Sequence, residues 1–536
     1  MLIHPSGRAE RLTALRAQVF DLLVIGGGIT GCGIARDAAL RGLTVALVEK
    51  DDFASGTSSR SSRLIHGGVR YLEHGQLHLV FESSAERRRL LRLAPHLVRP
   101  LAFTWPVYAG SRIPRWKLSA GLLLYDALAL FRNVGRHQRL SRDAVLQAEP
   151  MLGQHGLTGG ARYFDAATND ARLTLANALA ASELGAVVVN HAAVTDLLVH
   201  GGRVTGATVH DTLGDRVVEV RAAVVVNATG PWTDSIRTLN GDNPGSVRGS
   251  VGAHIALPRA RVGNREAVTL TSPRDGRVFF VLPAGAQSIV GTTDTYTSRS
   301  PDDVRATNED VRYLLDSANA FFPAAALAPR DVECAWAGIR PLLPAPGEGP
   351  GSASREHAIT VSDTGLISIT GGKLTTYRVM AADVVNEVLE RLRRTSPPDR
   401  SNGTPLPGGD FTSFTSLVSD AARATHDPAL AQHLVNAYGT RWPGVWAEID
   451  TPGGRSAVED GLPYTIGELR YCARHEMADT LADLMIRRTH LAFETRNHGV
   501  DRAEAVASAL GWSSQTLRRA VDQYGAEADR IFAIDA

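Results

Sequence analysis

One glycine-rich turn near the start of the chain limits the fold more than any other feature. The sequence DLLVIGGGITG, from Asp21 to Gly31, is an apolar strand followed by a turn that contains Gly26 and Gly28. A helical stretch and a second strand, LTVALVE, follow the turn and end on Glu49. The order of strand, glycine turn, helix, strand and acid is typical of a site that binds the ADP half of a dinucleotide.

Each residue of this motif has a physical task. Gly26 permits the tight turn, Gly28 lets the backbone approach the pyrophosphate, and Gly31 lets the helix pack close to the strand. The N–H groups at the start of the helix, together with the helix dipole, favour the phosphates. Glu49 stands where a carboxylate accepts hydrogen bonds from the adenosine ribose, which disfavours a 2′-phosphate. The motif alone does not distinguish FAD from NAD.

Length and composition exclude several classes of protein. A chain of 536 residues is too long for one core, so we expect two or three domains. The formal net charge of +1 gives no reason to expect nucleic-acid binding. Cys32, Cys334 and Cys472 are far apart and form no metal or redox pattern, which predicts no metal site and fits a reducing, cytoplasmic environment. We find no segment typical of a signal peptide or a membrane span.

The rest of the chain predicts a nucleotide-binding fold that is interrupted and later completed. Alternating apolar residues predict strands within 186–228 and 248–295, with a hairpin turn at Gly201-Gly202. A late strand enters a second glycine turn, Gly371-Gly372, which opens a helix. Proline and glycine concentrate in a predicted linker, and the pattern after it is mostly helical.

Several motifs give the chain a resemblance to a known family from about residue 20 to about residue 520. In order they are SSRLIHGGVRYLE (61–73), NDARL (169–173), NATGPW (227–232), GTTD (291–294), GIRPL (338–342) and GGKLTTYR (371–378). Their order and spacing resemble those of the FAD-dependent glycerol-3-phosphate dehydrogenases, whose relatives include glycerol phosphate oxidases. The resemblance implies tightly bound FAD, oxidation of sn-glycerol 3-phosphate to dihydroxyacetone phosphate, and transfer of the electrons to membrane quinone.

The motifs and the resemblance together predict an α/β fold. A Rossmann-like FAD-binding domain is interrupted by a β-rich substrate (cap) domain and followed by a mainly helical C-terminal domain. For the C-terminal domain we expect structural support or a subunit contact, as in a homodimer. The predicted divisions are 18–110, 166–245 and 336–395 for the FAD-binding domain, 111–165 for a cap or membrane-contact segment, 246–335 for the substrate domain and 410–536 for the helical domain.

The implied reaction takes a hydride from C2 of the substrate and a proton from its hydroxyl, and flavin N5 accepts the hydride. Arg70 and Arg340 lie beside glycines in the motifs and are our candidates for binding the phosphate. The alternative for each is an ordinary surface salt bridge. His66 is the first candidate for the base because histidine titrates near neutral pH, and His254 is the second. The proton can also pass to solvent or to a carboxylate.

A further set of residues is predicted to hold the cofactor. Lys373, at the glycine turn, suits the anionic reduced flavin or the substrate oxygen, although capping of the following helix is the alternative. Hydroxyl groups near residues 58–62 suit the pyrophosphate and ribityl chain. The predicted cofactor-binding residues are Gly26, Gly28, Gly31, Glu49, Ser58, Ser59, Ser62, Thr229, Gly230, Gly372, Lys373, Thr375 and Thr376.

Residues 112–136 combine basic residues, Trp116 and a leucine-rich helix, as in an interfacial membrane anchor. The alternative is a helix packed on the domain core, and Asp126 fits either interpretation. We expect a cytoplasmic enzyme that is attached peripherally to the inner face of the cell membrane.

Three alternatives to this function remain open. The first is an oxidase that passes the electrons to O2 and releases H2O2, which is disfavoured because the chain lacks the sizeable insertion expected of family oxidases. The second is a FAD-dependent amine or amino-acid oxidase of similar fold. The third is a flavin-binding scaffold without turnover.

Overall fold

A computed structural model describes residues 7–69, 72, 75–243, 245, 247–343, 356–395 and 397–536. The strands are β1 (Val19–Ile25), β2 (Val45–Val48), β3 (Leu64–Ile65), β4 (Val98–Tyr108), β5 (Gln138–Leu140), β6 (Leu157–Thr168), β7 (Val187–Val189), β8 (Ala192–His200), β9 (Arg203–Asp211), β10 (Arg216–Asn227), β11 (Arg248–Pro258), β12 (Ala267–Thr271), β13 (Val278–Ala284), β14 (Gln287–Gly291), β15 (Thr295–Tyr296), β16 (Cys334–Leu342), β17 (His357–Val361) and β18 (Ile367–Gly371).

The α-helices surround two sheets and dominate the C-terminal part. They are α1 (Arg8–Ala17), α2 (Ile29–Leu40), α3 (Leu77–Leu93), α4 (Arg115–Leu128), α5 (Arg142–Ala148), α6 (Asp170–Glu183), α7 (Thr233–Leu239), α8 (Arg259–Val262), α9 (Asn308–Asn319), α10 (Tyr377–Arg391), α11 (Phe414–Thr425), α12 (Pro428–Tyr438), α13 (Trp442–Ile449), α14 (Ile466–His475), α15 (Leu491–Glu494), α16 (Ala503–Ala509) and α17 (Ser514–Phe532). A π-helical turn, Asp483–Arg488, precedes α15.

The first sheet carries the nucleotide-binding motif. Its strands follow the order β17-β18-β10-β1-β2-β7, and the pairs of β1 with β2 and β10 are parallel. Four consecutive residues of β1, from Leu22 to Ile25, are buried because the sheet is covered on both faces, with α2, α6 and α10 packed on one of them. Parallel strands place their carboxyl ends at one edge, and the glycine turn stands at that edge.

The second sheet combines strands from distant parts of the chain. Its order is β15-β11-β14-β13-β12-β4-β6-β3, with β16 paired to β11 and β5 paired to β6. Strands from residues 64–168 therefore join those from residues 248–342 in one sheet. The six domain divisions given above remain a prediction, since sheet membership alone does not fix domain boundaries.

The predicted fold class is confirmed: an α/β fold, in which a largely parallel sheet carries the glycine turn, is followed by a mainly helical domain. The predicted hairpin at Gly201-Gly202 joins β8 to β9, and the late strand, turn and helix are β18 and α10. In the part of the chain predicted to be mostly helical, residues Asp483–Arg488 form a π-helical turn, whose backbone differs from that of an α-helix. Within the described residues, no helix combines the length and the apolar character that crossing a membrane requires.

Candidate active site

The glycine turn has the backbone geometry that its sequence predicts. Gly26 has φ +112°, a conformation that side chains rarely adopt. A Cβ atom on Gly31 would lie 1.9 Å from the carbonyl oxygen of Gly26, so only glycine permits this approach of helix to strand. The hydroxyl of Ser58 accepts a hydrogen bond from the amide of Ile29 at 2.9 Å, and so engages the first turn of α2.

Glu49 lies at the end of β2, beside the turn. Its carboxylate accepts hydrogen bonds from the amides of Gly27 (2.6 Å) and Asp51 (2.9 Å). Burial, together with the negative charge of Asp51, raises the pKa of Glu49 to about 7. The site therefore has an acceptor that titrates near neutral pH.

A cavity of about 590 Å³ extends from the glycine turn to the second sheet. Its volume falls in the range of small-molecule and cofactor sites. The predicted residues that line it are Gly26, Gly28, Glu49, Ser58, Ser62, His66, Thr229, Gly230, His254, Arg340, Gly372, Lys373 and Thr375.

The remaining predicted residues have other positions. Gly31, Ser59 and Thr376 lie outside the cavity lining; Gly31 acts in helix packing, and the other two are buried. Arg70 lies outside the described residues. A sequence motif therefore predicts that a residue lies near the cavity better than it predicts whether its side chain points into the cavity.

Arg340 enters the cavity from β16 and is held in place by polar neighbours. Its guanidinium donates to the carboxylate of Asp294 and to the hydroxyl of Thr292, each at 3.0 Å. The hydroxyl of Ser250 donates to the same carboxylate. A Cβ atom on Gly252 would lie 2.3 Å from a guanidinium nitrogen, so this glycine leaves the room that Arg340 occupies.

His254 lies on β11 and is almost fully buried. Its Nε2 is 2.8 Å from the hydroxyl of Ser62, and its ring stacks on Trp336 with centroids 5.4 Å apart. Burial, with the positive charges of Arg340 and Arg63, lowers the pKa of His254 to about 3. The imidazole is neutral at pH 7, and taking up a proton there is unfavourable.

The two loops that carry His66 and Lys373 meet at the cavity. The backbone amide of His66 donates to the hydroxyl of Thr375 at 3.3 Å. The ammonium of Lys373 donates to Ser83 at 3.4 Å. The fold thus brings together two motifs that are about 300 residues apart in sequence, HGG and GGKLTT.

Several lining residues were missed by sequence reasoning. The ammonium of Lys50 lies 4.7 Å from the ring centroid of Trp232, and both side chains contact Asp302. The carboxylate of Asp165 accepts from the amide of Gly67 at 3.0 Å. The only sequence signal that could have identified Lys50 is that it directly follows Glu49, the acid at the end of the second strand. The missed aromatic lining residues are Phe103, Trp105, Tyr163 and Phe280.

The chain matches two families of known proteins. Residues 21–378 match the family described as FAD dependent oxidoreductase, and residues 400–516 match the C-terminal domain of alpha-glycerophosphate oxidase. Glycerol-3-phosphate dehydrogenase 2 of Mycobacterium tuberculosis is 39% identical over 98% of this chain and 91% of its own length. Aerobic glycerol-3-phosphate dehydrogenase of Bacillus subtilis is 36% identical over 92% of this chain and 91% of its own length.

Solved structures show the same relationship. A glycerol-3-phosphate dehydrogenase from Bacillus halodurans, complexed with FAD, superposes with a TM-score of 0.82 and 32% identity over 98% of both chains. The L-alpha-glycerophosphate oxidase of Mycoplasma pneumoniae, with FAD bound, has a TM-score of 0.57 at 19% identity, over 73% of this chain and 99% of its own. The second likeness concerns the fold alone.

Proposed function

The chain belongs to the family of FAD-dependent glycerol-3-phosphate dehydrogenases, and we propose that it oxidises sn-glycerol 3-phosphate to dihydroxyacetone phosphate and passes the electrons to a quinone. FAD is its cofactor. One observation carries the proposal: a single cavity joins the dinucleotide turn to the cationic side chains Arg340 and Lys373. A dianionic substrate calls for such cations beside the flavin.

The residues around the turn fit FAD. The approach that Gly26 and Gly31 permit leaves backbone N–H groups for the pyrophosphate. Glu49 lines the same cavity, and we propose that its carboxylate accepts hydrogen bonds from the ribose hydroxyls. Ser58 and Ser62 offer hydroxyls to the pyrophosphate and ribityl chain. Thr229, Gly230, Gly372 and Thr375 line the same cavity and are proposed as further contacts of the cofactor. FAD, when bound, supplies a hydride acceptor at flavin N5.

The protein's own groups bind and orient the substrate. The guanidinium of Arg340 presents a planar fork to the phosphate, and Asp294 fixes the orientation of that fork. Arg70 is proposed as a second phosphate ligand. His66 is proposed as the base, because His254 is buried among cations and resists protonation. Lys373 places a positive charge where negative charge develops.

We propose that α4 and the residues after it contact a membrane surface. The buried face of α4, which includes Leu118 and Leu122, packs on the domain, as the alternative interpretation of this segment expects. The other face leaves large apolar side chains exposed, and basic residues accompany them. This combination is typical of interfacial binding, and it gives access to a lipid-soluble quinone at the inner face of the cell membrane. The exposed apolar residues are Trp116, Leu123, Leu124, Leu130, Phe131 and Val134.

The choice of electron acceptor is testable on the purified protein. We expect glycerol 3-phosphate to drive reduction of a soluble quinone analogue, with little peroxide formed in air. Stoichiometric peroxide without quinone reduction would identify an oxidase instead. Turnover with amino acids but not with glycerol 3-phosphate would move the chain to the amine oxidase alternative.

A further inference from the structure

We propose that Arg487 and Arg488, in the C-terminal helical domain, are positioning residues that hold the loop of residues 51–58 in the shape that retains FAD. We name this loop the cofactor loop, and we name the group of Asp52, Arg487 and Arg488 the Asp52 clamp. The inference rests on the proposed placement of FAD at the glycine turn. It assigns a task to the RRT sequence at 487–489, which the reaction itself leaves unexplained.

The Asp52 clamp is a dense, fully buried ion-pair group. One carboxylate oxygen of Asp52 accepts from Arg487 Nε at 2.7 Å and from Arg488 Nη1 at 2.6 Å. The other oxygen accepts from Arg488 Nη2 at 3.0 Å and from the side-chain Nδ2 of Asn190 at 2.9 Å. Arg488 thus makes a bidentate fork, which is stronger and more directional than a single contact. Removing one partner would strand a buried charge.

Both arginines are anchored in the C-terminal domain. Arg488 also donates to the backbone carbonyls of Glu476 and Met477. Arg487 donates to Asp483 at 3.1 Å within the π-helical turn. π-Helical backbone is rare and is frequent at functional sites. Here it presents two consecutive arginines to one carboxylate that lies 435 residues earlier in the chain.

The cofactor loop connects Asp52 directly to the glycine turn. The carbonyl of Asp52 accepts from the amide of Ser55 at 3.1 Å, and the amide of Ala54 donates to the carbonyl of Gly27 at 3.0 Å. At its far end the loop provides Ser58, whose hydroxyl engages the start of α2. Residues 55–58 line the cavity. A shift of Asp52 would therefore be transmitted to both the turn and the cavity wall.

A metal site at this place is a poorer explanation. Ligand atoms of Asp52, His191 and Asp483 lie within 4.8 Å of one another. However, each oxygen of the two carboxylates already accepts from protein donors, and two guanidinium groups offset the two negative charges. Asp483 accepts from His191, from Arg487 and from two backbone amides. The cluster has the chemistry of a clamp between domains.

The chain offers a matched control. Arg441, in the C-terminal domain, donates to Glu183 on α6 at 2.7 Å and forms another ion pair between the same two parts of the chain. The Arg172–Glu476 pair is unsuitable as a control, because Arg488 donates to the backbone carbonyl of Glu476. Glu183→Gln therefore weakens the domain interface at a place apart from the Asp52 clamp.

The experiment measures FAD affinity of the full-length protein after removal of the cofactor, by flavin fluorescence. We expect Asp52→Asn and Arg488→Gln to raise the Kd for FAD about tenfold or more, the scale of one lost charge-assisted hydrogen bond. Glu183→Gln should stay within about twofold of wild type. Arg488→Lys, which keeps the charge but loses the fork, should fall between the two.

Hydrogen exchange supplies a second readout that a general loss of stability would not reproduce. We expect amides 53–58 to exchange faster in Arg488→Lys, and unchanged exchange in the β11–β16 pair. Wild-type Kd in both Asp52→Asn and Arg488→Lys would overturn the inference, as would an equal loss in Glu183→Gln. If the Arg488→Gln protein does not fold, the lysine variant decides. Wild-type protein that binds no FAD would instead overturn the proposed function.

Discussion

The two halves of the cavity are built in different ways. The half around Gly26 and Glu49 is formed by about thirty consecutive residues, and most of its proposed contacts with the cofactor come from backbone groups. The half around Arg340 comes from side chains on distant strands and loops, each fixed by another side chain. A backbone-built site requires a local sequence pattern, whereas a side-chain-built site requires only that the fold bring the right groups together.

The largest effect is expected in the backbone-built half. Gly31→Ala places a methyl group against the carbonyl of Gly26, and such overpacking costs about 1–3 kcal/mol while it displaces the turn. We expect protein purified without flavin and without activity, as measured by visible absorbance. Gly121→Ala is the control, since a Cβ there meets open space on α4. Normal flavin content in Gly31→Ala would show that FAD binding does not depend on the close backbone approach at Gly31, and would contradict the proposed difference between the two halves.

In the other half, His66→Asn should lower kcat by about 10²–10⁴-fold if His66 is the base, with flavin content preserved. His254→Asn should cost less, because the low pKa of His254 keeps it out of proton transfer at pH 7. Steady-state rates across pH 6–9 separate the two. A larger loss in His254→Asn would exchange their proposed roles.

Arg340→Ala should raise KM for glycerol 3-phosphate and lower kcat/KM by about 10²–10³-fold, as expected for loss of a charged pairing partner. Flavin content should not change, because Arg340 acts on the substrate side of the cavity. Arg261→Ala, which removes an exposed arginine near the second sheet, serves as control. Loss of FAD in Arg340→Ala would show that the half of the cavity around Arg340 also contributes to FAD binding.

In the half of the cavity around Gly26 and Glu49, the affinity for FAD should depend on pH, because Glu49 titrates near neutral pH. Its pKa is about 7 in the described structure, and ribose hydroxyls that donate to the carboxylate favour the ionised form. Below pH 7, FAD binding must therefore release a proton, so affinity should fall by up to about tenfold per pH unit on acidification and level off above pH 7. Glu49→Gln should flatten this dependence in a fluorescence titration. A pH-independent wild type would contradict the assignment.

The smallest effect concerns the membrane. Trp116 is 73% exposed, and burying such a side chain in a bilayer interface is worth roughly 1.5–3 kcal/mol. We expect Trp116→Ala to weaken sedimentation with anionic vesicles about tenfold while activity with a soluble acceptor is unchanged. Val217→Ala, at another exposed apolar position, is the control. Equal vesicle binding by wild type and Trp116→Ala would remove α4 from the proposed contact.

The same contrast explains what the sequence could predict. The glycine turn, the hairpin at Gly201-Gly202 and the helix that follows Gly371-Gly372 can be predicted from local patterns, and the structure has them. Contacts between residues that are far apart in the sequence could not be predicted in this way. Examples are the pairing of β4 with β6 and β12, and the ion pair of Arg340 with Asp294. The Asp52 clamp joins residues 435 apart and has no local signal. Thr376 lies in the GGKLTTYR motif and Ser59 lies just before the motif at 61–73, yet both are outside the cavity lining, because a local pattern does not specify side-chain direction.

The most decisive experiment for the proposed activity is an anaerobic titration of the purified protein with glycerol 3-phosphate. We expect the visible absorbance of oxidised flavin to be lost as substrate is added, with one dihydroxyacetone phosphate formed per flavin reduced. A flavin spectrum that does not respond to glycerol 3-phosphate would contradict the roles proposed for the residues in the half of the cavity around Arg340. It would leave the binding of FAD in the half around Gly26 and Glu49 unaffected.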